Sequence, residues 1–178
     1  SEFPRLSAYT GRGLAFRLSH GRPKPRRWRM DQMMQGDRIV AEARAWIGTP
    51  YRHQASTKGA GTDCLGLVRG VWRAVLGAEP EAVPAYTADW SEPSGREDLL
   101  AAGGRWMTRK PAKDARAGDV LLFRMRDGAV AKHLGILGAT IPTMTLIHAY
   151  SGHGVIESPL SEPWARRIVA CFAFPDGV

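Results

Sequence analysis

Covalent chemistry in this chain would fall to one cysteine and two histidines. Cys64 follows Thr62 and Asp63, at the point where a glycine-containing loop turns into an apolar helical pattern. A thiol in the first turn of a helix faces unpaired backbone N–H groups and the positive end of the helix dipole. Both favour thiolate and lower the pKa from about 8.5. Asp63 stands at or next to the cap, where its carboxylate can fix the turn. Gly66 leaves little bulk beside the sulfur, and Leu65, Leu67 and Val68 can anchor the helix beneath it. A thiolate nucleophile needs a histidine as general base and a further group to orient that histidine. His133 lies in Lys132-His133-Leu134-Gly135-Ile136-Leu137 and His148 in Leu146-Ile147-His148-Ala149-Tyr150. Both runs read as strands, and antiparallel pairing of consecutive strands brings the two imidazoles near each other.

Each of these residues also has a bland reading. Most free cysteines are small buried apolar residues, and a strand histidine is commonly a core or rim residue satisfied by backbone. His20 falls in the N-terminal segment, and His53 and His153 in polar loops, where solvation is expected. Zinc would need a C-x-x-C pair, an H-x-x-x-H, or ligands three or four apart on one element. The sequence has none of these, so no metal and no cofactor are expected.

The elements that must position these residues are legible from periodicity. Asp37 reads as an N-cap, and Ile39, Val40, Ala43, Trp46 and Ile47 follow at helical spacing until Gly48-Thr49-Pro50. A polar loop runs over 51–62. The helix opened by Cys64 is apolar almost all round through Leu76, which predicts a central, buried element. Residues 77–94 carry three prolines and read as a surface loop, and a short helix is expected over 96–102. Strands are expected at Val120–Arg124, Val130–Leu137, Thr143–Tyr150, Val155–Ser158 and Ile168–Phe174. Helices followed by consecutive strands indicate an α+β fold with an antiparallel sheet.

At 178 residues the chain suits one domain. The net charge of +8 is concentrated: residues 1–30 hold eight basic residues and one acid, so they carry +7 and the rest +1. The expected division is a basic, Arg/Pro-rich extension over 1–30 and a domain over 31–178. The body therefore gives no reason to expect nucleic acid as a partner. Two cysteines are too few for a disulfide framework, and no stretch is long and apolar enough for a membrane span. No secretory signal is recognised, so synthesis and retention in the cytoplasm are expected on these features alone.

Five motifs in order resemble one family. They are Gly48-Thr49-Pro50-Tyr51, Asp63-Cys64-x-Gly-Leu at a helix start, Ala117-Gly118-Asp119-Val120-Leu121-Leu122-Phe123, His133-x-Gly-Ile, and Ile147-His148-Ala149. Across about residues 37–174 the chain resembles the NlpC family of papain-like cell-wall cysteine peptidases. The resemblance implies a papain-like fold, with a central antiparallel sheet packed on N-terminal helices and the nucleophile at a helix N-terminus. It implies Cys64 as nucleophile, His133 as base and His148 as the orienting third member, with Tyr51 and Asp63 on the substrate side. The implied substrate is a peptidoglycan stem peptide, cut at the γ-D-glutamyl–diaminopimelate bond. Lys132-His133 and the Lys58–Gly61 loop look most like the branch found in phage tails and gene transfer agents. That branch implies incorporation into a phage-like particle, action at the periplasm or cell wall, and tail or baseplate partners for residues 1–30. A catalytically silent tail-tip component with the same fold is the alternative. Two departures stand out: Leu65 follows the cysteine where the family usually has serine, and His53-Gln54-Ala55-Ser56 replaces the usual Trp-Gly-Gly.

Overall fold

The computed structural model describes residues 26–87 and 93–176. Helix α1 spans Arg26–Arg44. Asp37 therefore lies in mid-helix and caps nothing, and the expected boundary between residues 30 and 31 falls inside a continuous helix. The earlier turns escaped notice because they carry no apolar periodicity: Met30, Met33 and Met34 are exposed, whereas Ile39, Val40 and Ala43 are buried. Residues 1–25 of the basic extension lie outside the described residues.

A two-residue hairpin, β1 Ser56–Thr57 with β2 Gly61–Thr62, precedes α2 Cys64–Val75. The apolar circumference of α2 has the predicted consequence, since Leu67, Val68 and Val71 are buried. Gly70 admits the Trp46 ring from the turn that follows α1: a Cβ there would sit 2.0 Å from that ring. Helix α3 spans Asp98–Trp106 and leads into β3 Thr108–Lys110. Then come β4 Val120–Phe123, β5 His133–Ala139, β6 Thr145–Tyr150, β7 Gly154–Pro159, the one-turn helix α4 Glu162–Ala165, and β8 Ile168–Ala173.

The six strands form one antiparallel sheet in the order β3-β8-β4-β5-β6-β7. Strand β5 begins at His133 rather than at Val130. Residues 130–132 are instead held by single bonds, from Ala131 N–H to Glu97 and from Lys132 N–H to the Phe123 carbonyl. The period-two alternation of strand side chains divides the apolar residues between two faces. Val120, Leu122, Leu134, Ile136, Ile147 and Ala149 pack with the helices. Leu121, Phe123, Leu137, Leu146 and Cys171 form a second cluster on the other face, covered by Leu160, Trp164 and Ile168. No helix among the described residues is long and apolar enough to cross a membrane.

Candidate active site

Cys64 is the first residue of α2, and its N-cap is Asp63. Burial of the cap is nearly complete, with Asp63 only 3% exposed. One carboxylate oxygen accepts from Gly66 N–H at 2.7 Å. The other accepts from Gln54 N–H at 2.7 Å and from the Tyr86 hydroxyl at 2.5 Å. With both oxygens occupied inside the protein, Asp63 is built to hold the helix start and has little left to offer a substrate, contrary to the substrate-side role expected for it. Gln54 sits at φ 62°, a left-handed conformation that costs a non-glycine residue about 1 kcal/mol. Its N–H bond to Asp63 and its side-chain bond to the Tyr86 carbonyl help to hold it there.

Gly66 serves a different purpose from the one expected. The space a Cβ would take is filled by the Ala55 carbonyl, 1.9 Å from that position, so the glycine admits the preceding loop rather than opening room beside the sulfur. Ser56 completes the clasp by donating to the Gly66 carbonyl at 2.6 Å.

The thiol reaches β5 where that strand begins. Its hydrogen-bond acceptor is the Lys132 carbonyl at 3.8 Å. Among the described residues no hydrogen bond joins Cys64 to His133. The backbone N–H of Leu134 on β5 favours thiolate, and so do those of Leu65 and Cys64, as a helix start predicts. They are outweighed: burial first, and then the Asp63 carboxylate, push the thiol up to about 11. The expected lowering of its pKa is thus reversed, because desolvation and a cap carboxylate beside the sulfur both oppose negative charge.

The two histidines meet as the strand pairing requires. Phe123 lies opposite His133, and Ile136 lies opposite Ile147, which brings His148 alongside Gly135. Both imidazoles leave the sheet on the face of the second cluster, and His133 Nε2 is 2.9 Å from His148 Nδ1. His148 Nε2 lies 3.4 Å from the Ser158 hydroxyl on β7. A consistent proton assignment runs outward: His133 donates from Nε2 to His148 Nδ1, and His148 donates from Nε2 to Ser158. His133 Nδ1 is then the basic nitrogen. Burial lowers His133 to about 3, and the neighbouring His148 adds to this. Burial, followed by His153, lowers His148 to about 4. All three shifts act in the same direction, toward a protonated thiol and neutral rings.

Tyr51 is half-buried and bridges to Thr62. Its hydroxyl is held above the usual value by burial and by the charges of Cys64 and Asp63, which places it beside the cysteine. A groove of about 680 Å³ opens next to Leu65, lined by Gln54, Val83, Tyr86, Arg96 and Arg105 among others. A smaller apolar pocket of about 100 Å³ lies between α2 and α3, and Leu65 borders it as well. Sequence reasoning missed Tyr86, which joins the 77–87 loop to the cap; its ring packs edge-on to His53 at 5.1 Å. A tyrosine in a proline-rich loop carries no periodic signal that could have exposed it. No three His, Cys, Asp or Glu side chains among the described residues converge as a metal-binding group.

The comparisons with known proteins fit this arrangement. The NlpC/P60 family profile matches residues 48–172, a span that holds Tyr51, Cys64, His133 and His148. The chain belongs to the NlpC/P60 family. Among solved structures, the NlpC/P60 domain of the peptidoglycan hydrolase SagA is 26% identical with a TM-score of 0.52, covering 78% of this chain and 98% of that one. An NlpC/P60 family protein from Bacillus cereus has a TM-score of 0.57 at 17% identity, covering 78% of this chain and 40% of that one. The P60 domain of a Mycobacterium avium paratuberculosis antigen has a TM-score of 0.52 at 14% identity, covering 83% and 98%. The last two likenesses concern the fold alone. The chain thus spans nearly all of the two isolated domains but less than half of the B. cereus protein. No curated protein sequence matches at the same standard. The α+β, papain-like expectation holds, with α1, α2 and α3 on one face of a six-stranded antiparallel sheet and the single turn of α4 on the other.

Proposed function

We propose that this NlpC/P60 domain is a cysteine endopeptidase that cleaves peptidoglycan stem peptides, at the γ-D-glutamyl–diaminopimelate bond. The observation that carries the reading is the 2.9 Å contact between His133 on β5 and His148 on β6, next to the Lys132 carbonyl that receives the Cys64 thiol just before β5 begins. Membership of the family and the likeness to a domain of a peptidoglycan hydrolase support it.

Since burial favours the neutral pair, catalysis begins with a proton transfer coupled to attack. The thiol leaves the Lys132 carbonyl and passes its proton to His133 Nδ1 as sulfur bonds to the amide carbon. His148 steadies the imidazolium by accepting from His133 Nε2, and Ser158 holds His148 in the tautomer that permits this. The N–H groups at the start of α2 receive the developing oxyanion. His133 then protonates the leaving amine, and water releases the acyl-enzyme by the reverse path. Tyr51 and the groove beside Leu65 border the substrate, while Asp63 keeps the helix start in place. Replacement of Cys64 by alanine is expected to abolish release of cleaved muropeptides from purified peptidoglycan. Retained release sinks the assignment.

Delivery by a phage-like tail, with residues 1–30 contacting tail or baseplate proteins and action at the periplasm or cell wall, belongs to the same proposal. It rests on the resemblance carried by Lys132-His133 and the Lys58–Gly61 loop, and purified particles lacking this polypeptide would refute it. One observation favours a second reading, a structural tail-tip component without activity: the thiol bonds to the Lys132 carbonyl rather than to His133.

A further inference from the structure

Trp164 is a side chain of the second sheet face that the mechanism leaves unused, and like Tyr150 it touches both histidines. Its ring centroid is 5.3 Å from His133 and 5.2 Å from His148, tilted to the first and edge-on to the second. It also packs edge-on to Phe123 at 5.2 Å and to Tyr150 at 6.0 Å. All four separations fall in the range where aromatic rings attract. The indole rides on the single turn of α4, which is fastened at both ends. Leu160 N–H bonds to the Met144 carbonyl before it; after it, Arg167 N–H bonds to the Trp164 carbonyl and Arg124 N–H to the Arg167 carbonyl.

We infer that Trp164 is a positioning residue for the imidazole pair, walling both rings from water on the face away from the helices and fixing the planes in which His133 and His148 meet. This rests on the proposed role of His133 as base. The wall has a chemical use: water reaching His133 Nε2 would compete with His148 for its proton and release the ring to rotate. It also accounts for the leading cause of the low proton affinity of both rings, which is burial. The other titratable groups that the structure sets against the pair are Tyr150 from β6 and His153 from the turn that follows it. On α4 itself, Glu162 and Arg166 are paired with each other.

The test is a histidine NMR titration of the full chain in a Cys64→Ala background, with Trp164→Leu and Trp164→Phe, alongside kcat and KM of the same substitutions in the active enzyme. With Trp164→Leu, the His133 and His148 titrations are expected to move up toward 6.5, with kcat about tenfold lower and KM changed less than about twofold. Trp164→Phe keeps one ring in place and is expected to shift both readouts part of the way. Should Trp164→Leu fail to fold, the phenylalanine variant carries the test. Titrations and kcat that stay at the parent values in a folded variant overturn the inference. A wild-type chain that cleaves nothing defeats the assignment of His133 instead, and the titrations still report on the wall.

Discussion

Replacing Asp63 with alanine tests whether the nucleophile helix is held as described. The carboxylate accepts three hydrogen bonds, from Gly66 N–H, Gln54 N–H and the Tyr86 hydroxyl. Loss of the cap costs about 1 kcal/mol. Each of the other two bonds to a charged, buried acceptor is worth about 1.5 kcal/mol. Release of Gln54 from its left-handed conformation returns about 1 kcal/mol, leaving a net loss of about 3 kcal/mol. For a domain of this size each kcal/mol lowers Tm by about 2–4 °C, so thermal unfolding followed by circular dichroism is expected about 6–12 °C lower. Asp63→Asn keeps one accepting oxygen and can still cap Gly66, so about half that loss is expected. A drop below about 2 °C for Asp63→Ala would show that the cap and the two loops are held by something else, and the reasoning would fail.

The histidine pair makes stability depend on pH in a stated direction. Both rings bind protons more weakly folded than unfolded, so the unfolded chain takes up more protons below 6.5 and stability falls as pH drops. Tm is expected to decline between pH 6.5 and 5, above the carboxylate range, and a His133→Ala/His148→Ala double variant should lose most of that slope; an unchanged slope contradicts the burial argument. Thiol labelling with iodoacetamide should distinguish the two cysteines, since Cys64 is half-buried while Cys171 is 1% exposed and pushed up to about 12 by burial and Asp119. Peptide mapping should find Cys64 modified first, and equal or reversed rates would favour the structural reading of the fold.

Which features could be read from the sequence follows from where their signals lie. The buried helix behind Cys64 and the meeting of His133 with His148 were legible because each rests on a repeating period, helical in one case and two-residue in the other. Antiparallel neighbours needed no further information to bring the imidazoles together. The hairpin at 56–62 and strand β3 are too short to show a period. Tyr86 and Trp164 reach the site from a loop and a single turn, and nothing local marks a residue whose role depends on what it meets in space. The direction of the Cys64 shift is not legible for a related reason: the helix start is visible in sequence, while the desolvation that outweighs it exists only in the folded chain. Leu65, a departure from the family motif, lies between the groove and the apolar pocket.

The most direct test of the central claim is mass spectrometry of the products released from purified peptidoglycan by the wild-type chain and by Cys64→Ala. Wild type is expected to release fragments cut within the stem peptide, at the γ-D-glutamyl–diaminopimelate bond, and the variant to release none. Equal release by both, or no stem-peptide cleavage by wild type, would contradict the account.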